Sequence, residues 1–217
     1  MVFSDSALRE LVALAEKNNV TLYSDEVFRP LFHTSDPAPS ALVSLGYKNS
    51  LSTGSLSKAH GLPGIRLGWV ISPNLDLIER VMNVRGYTTI SVSRLDDDVA
   101  LYALSPEVLP QLIERNLALC RSSLGLLRGF VERHAGRVEW IPPRGAGTAW
   151  LRILDAHGDP VDDQEFALGI GKNGGVSLLP GEVFADTADG EFKGYFRFAL
   201  GDDAVLKQAL EVLETFL

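Results

Sequence analysis

The chain has 217 residues, 46% hydrophobic and 22% charged, with a formal net charge of −8 at pH 7. That is the composition of a globular protein, long enough for one domain or two small ones. The acidic balance argues against nucleic acids and anionic membranes as partners, and the single cysteine, Cys120, excludes a disulfide framework or a cysteine metal site.

Met1-Val2-Phe3-Ser4-Asp5 leads straight into a polar helix start, so no leader is expected. No apolar run approaches the roughly 20 residues that span a bilayer, and a cytoplasmic location follows as the expectation. Ser4 or Asp5 is placed to cap a first helix with Leu8, Leu11, Val12, Leu14 and Ala15 on its apolar face, closed by Asn18-Asn19. Val20 to Tyr23 reads as a short buried strand, followed by a polar loop holding Asp25, Glu26 and Arg29-Pro30. Leu51 to Ser57 and Ile65 to Ile71 are strand-like, and this rhythm predicts an α/β piece with a largely parallel sheet.

Beyond Pro73 the pattern changes. Leu75 to Val84, Arg94 to Leu104 and Val108 to His134 have helical spacing, and Cys120 falls in the last as a buried structural thiol. Arg137 to Trp140 and Ala149 to Ile153 are candidate strands, Phe166 to Lys172 a helix, Val176 to Leu179 and Tyr195 to Leu200 strands, and Asp202 to Leu217 a closing helix. We expect a first domain over 1–78 and a helical and small α+β domain over 79–217. Three strands are too few for a parallel sheet covered on both faces, so earlier strands are expected to precede them.

Three places carry chemistry. In Ser55-Leu56-Ser57-Lys58 a lysine ends an apolar strand beside small hydroxyls; its amine could form a Schiff base, and Ser55 and Ser57 could bond a phosphate. Arg66, after Gly61-Leu62-Pro63-Gly64, could add a forked cation to that phosphate. Asp25 lies at the end of the first strand, where ligands bind in open α/β sheets, and an acid there could keep a pyridine nitrogen protonated. Arg197, inside the apolar run Tyr195 to Leu200, suits a substrate carboxylate. Each also has an ordinary explanation: a surface lysine with Arg66 paired to an acid, a loop carboxylate capping the next helix, and for Arg197 an internal salt bridge or the solvated side of an edge strand.

Together the segments resemble a known family. Ser-Leu-Ser-Lys, a Pro-Gly and Arg-Leu-Gly-Trp, from Ser55 to Trp69, resemble the cofactor-lysine motif of the class I/II aminotransferases, fold type I enzymes dependent on pyridoxal 5'-phosphate (PLP). Ser24-Asp25-Glu26-Val27-Phe28 resembles the family's Asp-Glu-Val-Tyr segment. Val176 to Gly181 with Tyr195-Phe196-Arg197 resembles its carboxy-terminal Pro-Gly and arginine pair. The resemblance implies the later part of a PLP-transferase large domain plus the small carboxy-terminal domain. Lys58 is then the Schiff-base lysine and proton carrier, Asp25 the partner of the pyridine nitrogen, Ser55, Ser57 and Arg66 the phosphate grip, and Arg197 the clamp on the substrate carboxylate. It also implies amino acid and 2-oxo acid substrates, and a homodimer in which Gly86 to Ser91 approaches the neighbouring subunit. Two departures stand out. Phe28 replaces the family's tyrosine, and nothing here matches the amino-terminal phosphate loop, ring-stacking aromatic and asparagine. The chain alone is therefore expected to be weakly active or inactive. The alternatives are a catalytically silent remnant that binds a partner, or a fold type I lyase or synthase.

Overall fold

A computed structural model describes residues 2–185 and 192–217, divided into two compact units: Met1–Leu117 with Arg144–Ala146, and Ala118–Pro143 with Gly147–Leu217. In the first unit, α1 (Asp5–Asn18) begins as expected: the Ser4 hydroxyl accepts from the Ala7 amide at 3.2 Å, and Asn19 closes the helix in the left-handed conformation. Three strands follow, β1 (Leu22–Asp25), β2 (Ser50–Ser55) and β3 (Gly68–Ile71), in spatial order β1-β2-β3. β1 and β2 are parallel, with Asp25 opposite Thr53.

β3 runs antiparallel to β2, with Ser55 opposite Gly68, so only the first pair has the parallel arrangement the sequence suggested. The reason lies in the connection. The chain between Leu56 and Leu67 holds a single 3-10 turn, Pro63–Ile65, and no crossover helix, which a parallel return requires. Arg66 then takes the left-handed conformation, φ 51°, and the strand starts only at Gly68. β2 likewise ends at Ser55, which leaves Leu56 to Lys58 in a turn rather than in the strand.

The 78/79 boundary expected from the sequence falls inside α2 (Leu75–Thr88). α3 (Arg94–Ala103) packs on the 3-10 turn of the first unit, and the chain leaves that unit only within α4 (Leu109–Arg133).

The second unit is an antiparallel sheet in the order β4-β5-β7-β6, built from β4 (Val138–Trp140), β5 (Thr148–Ile153), β6 (Leu179–Pro180) and β7 (Tyr195–Ala199). Period-two alternation sends Ala149, Leu151, Ile153, Phe196 and Phe198 to one face, where they pack with Leu127 and Phe130 of α4, Ile170 of α5 (Asp163–Gly174) and Leu206, Leu210 and Leu213 of α6 (Asp203–Glu214). Trp150, Arg152 and Arg197 are left on the other face. α5 starts three residues before the expected Phe166, because the Asp162 carboxylate accepts from the Glu165 amide at 2.9 Å.

Candidate active site

The turn that follows β2 is built by close backbone approach. Gly54 lies under the Trp69 indole, and a Cβ there would come within 2.4 Å of ring atoms. The Ser55 hydroxyl donates to the Leu67 carbonyl at 3.1 Å and accepts from the Ser57 amide at 3.0 Å. Leu56 is fully buried, and its amide and carbonyl bond Leu67 and Leu62. The Ala59 amide donates to the Val27 carbonyl at 3.4 Å and the Asn116 carboxamide donates to the Ala59 carbonyl at 2.9 Å. These bonds pin the turn against the segment after β1 and against α4.

Lys58 is the residue this turn presents. It is exposed, and among the described residues its amine has no hydrogen bond and no ion pair; its Nζ lies 6.0 Å from the centre of the Phe28 ring. Arg66 is exposed as well and pairs with no acid among the described residues; Nη1 donates to the Pro63 carbonyl at 3.1 Å, which leaves most of its donors open. The Ser57 hydroxyl has no partner among the described residues. Ser55 differs: its proton is committed to Leu67, so a phosphate could take that proton only by breaking the turn's own hydrogen bond.

Adjacent carboxylates divide the work at the end of β1. Glu26 turns inward, where its oxygens accept from the Leu42 amide at 2.9 Å, the Ser52 hydroxyl at 3.3 Å and the Arg29 guanidinium at 2.8 Å. Asp25 is exposed; Oδ1 accepts from the Val27 amide at 3.2 Å and the Thr53 hydroxyl at 3.3 Å, and Oδ2 has no hydrogen bond among the described residues. Asp25 thus caps its turn and still offers one open oxygen. An open amine, an open carboxylate oxygen and an open guanidinium edge in one unit fit the donor set needed by a phosphorylated pyridine aldehyde.

His60 is the residue the sequence did not flag. It is buried beneath the turn, with Nδ1 donating to the Ser55 carbonyl at 3.3 Å and the ring edge-on to Trp69 at 6.1 Å. Burial holds its pKa below the ordinary 6.5, with the Ser55 bond acting in the opposite direction. The unfolded chain therefore takes up this proton at higher pH than the folded chain. The contribution of His60 to stability is complete above about 6.5 and declines as pH falls below it. We expect the thermal midpoint to drop more steeply between about pH 7 and pH 5.5 in the wild type than in His60→Phe; equal slopes would show that another group carries the dependence.

In the second unit Arg197 lies on the exposed face of β7, opposite Trp150 of β5 and Leu179 of β6. No acid pairs with it among the described residues. The internal salt bridge that could have explained a strand arginine is absent there.

The sequence model of the family described as Aminotransferase class I and II matches residues 1–213. Capreomycidine synthase of Streptomyces vinaceus is 35% identical over 175 residues, 81% of this chain and 43% of that protein. Among solved structures, a PLP-dependent aminotransferase from Streptococcus suis 89-1591 superposes with a TM-score of 0.85 at 31% identity, over 100% of this chain and 53% of that one. The PLP-dependent cyclase OrfR superposes with a TM-score of 0.86 at 26% identity, over 100% and 55%. The chain spans about half the length of these relatives.

Proposed function

The chain belongs to the class I and II aminotransferase family, and on that premise we propose that it carries the PLP-anchoring part of an enzyme that moves an amino group from an amino acid to a 2-oxo acid. The observation that supports this most is the Lys58 turn, which holds an open amine against the segment that carries Asp25. When bound, PLP supplies an aldehyde that captures amines and a ring that stabilises negative charge at the substrate α carbon. The remaining roles belong to the protein.

Lys58 Nζ anchors the cofactor and, when free, carries the α proton, because an amine can both accept and donate one. Asp25 Oδ2 would hold a proton at the ring nitrogen, while the two hydrogen bonds to Oδ1 fix the orientation of the carboxylate. Arg66 and Ser57 bind phosphate oxygens, while Ser55 keeps the turn in shape. Phe28 places an apolar ring beside Lys58 and brings no hydroxyl. Arg197 takes the substrate carboxylate through its planar fork. A cytoplasmic homodimer belongs to the same reading. The dimer, though not the location, is supported by the apolar side chains that α2, α3 and the segment between them expose, among them Leu75, Tyr87, Ile90, Leu95, Leu101 and Tyr102.

A second reading, ring closure or elimination on an amino acid, draws support from the likeness to capreomycidine synthase and to OrfR. One labelling experiment separates the two. The chain is assayed alone, and together with the part of the family's length it does not span, with PLP, a 15N-labelled amino acid and an unlabelled 2-oxo acid. Label in a new amino acid is the expected result, with the chain alone slow. Label released as ammonia or kept in a cyclised product would favour the second reading. No turnover in either setting would leave a silent remnant.

A further inference from the structure

Among the described residues no acid holds Arg197, and its guanidinium lies over an aromatic ring. Cζ lies 5.3 Å from the centre of the Phe184 ring. Phe184 ends a 3-10 turn, Gly181–Phe184, and its ring meets Trp150 edge-on with centroids 5.0 Å apart. Trp150 is the residue opposite Arg197 in the β5–β7 register, and it is fixed in turn by stacking on Phe192 at 5.6 Å and by Tyr195 edge-on at 6.1 Å. The turn reaches this position because residue 181 has no side chain; a Cβ there would lie 2.3 Å from the Phe192 carbonyl oxygen.

We propose that Phe184, set by Gly181 and braced by Trp150, is a positioning residue that keeps the Arg197 fork ready for the α-carboxylate of the substrate. The inference rests on the reading of Arg197 as the carboxylate clamp. A guanidinium that stacks on a ring uses its face and keeps its in-plane N–H edge open, which is the edge a carboxylate takes in a bidentate pair. A long side chain already confined in this way has less rotamer freedom left to lose when the ligand arrives. Among the described residues no acid competes with the carboxylate for this edge. Phe184 is 42% exposed, so its truncation leaves the buried core of the second unit in place.

The test uses the full chain labelled with 15N-arginine, with the Arg197 Nε–Hε signal identified by its loss in Arg197→Lys. Without ligand, the wild-type signal is expected to be motionally restrained and shifted by the rings; Phe184→Leu should release it, Gly181→Ala should release it in part, and Phe184→Tyr should keep it restrained. Titration with 2-oxoglutarate should show a dissociation constant raised about fivefold in Phe184→Leu and less than about twofold in Phe184→Tyr. An Arg197 signal as restrained in Phe184→Leu as in the wild type overturns the proposal, whether or not binding is measurable. Unchanged affinity in Phe184→Leu, with binding lost in Arg197→Lys, overturns it too. Arg197→Lys that binds 2-oxoglutarate like the wild type would instead remove the clamp reading on which it rests.

Discussion

Borohydride reduction of the PLP-treated chain is expected to leave the cofactor on Lys58 and on no other lysine, and Lys58→Ala to abolish that label and, in an enzyme of full family length, to lower amino-group transfer about a thousandfold. The chain has five other lysines, at 17, 48, 172, 193 and 207. None has the setting of Lys58. Its backbone is pinned on both sides, by the Gly61 amide to its own carbonyl at 3.0 Å and by the Ala59 amide to Val27, while its amine has no competing partner among the described residues. A fixed base with a free head is what covalent capture needs. Peptide mapping by mass spectrometry reads the result, and label on Lys17, Lys48 or Lys172 would refute the assignment. The rate loss follows from removing the anchor and the proton carrier in one substitution.

Asp25 and Arg66 should fail in opposite ways. Arg66→Ala is expected to weaken PLP binding by roughly 1.5–3 kcal/mol, the size of a lost charge-assisted hydrogen bond, with a smaller effect on the chemical step at saturating cofactor. Asp25→Ala should leave PLP affinity within about threefold and lower the rate constant for α-proton removal about a hundredfold. Asp25→Asn sharpens the comparison. Its amide oxygen can still accept from the Val27 amide and the Thr53 hydroxyl, so the turn is kept while the charge is lost. Equilibrium PLP titration and deuterium exchange at the substrate α carbon, in an enzyme of full family length, separate affinity from chemistry. If Asp25→Ala lost the cofactor and Arg66→Ala lost only rate, the two roles would have to be exchanged.

Much of this was legible in the chain itself because it is written at short range. A serine before a helical pattern and an asparagine pair after it bound α1. The alternation in 149–153 and 195–199 sorts the second sheet into a buried face and one that bears Arg197. The run from Ser55 to Trp69 picks out Lys58 and Arg66. What the sequence could not say was which of two similar neighbours does which job. Asp25 and Glu26 are adjacent acids, and only the approach of the Leu42 amide, Ser52 and Arg29 makes Glu26 an internal anchor and leaves Asp25 open. Ser55 and Ser57 look alike until the Leu67 carbonyl takes the Ser55 proton. His60 reads as a loop residue until Trp69 and the turn close over it. Helix caps and strand alternation arise from residues a few positions apart, so the local sequence determined them. Burial and hydrogen-bond partners are set by segments that meet only when loops close, and that closure is a property of the tertiary fold.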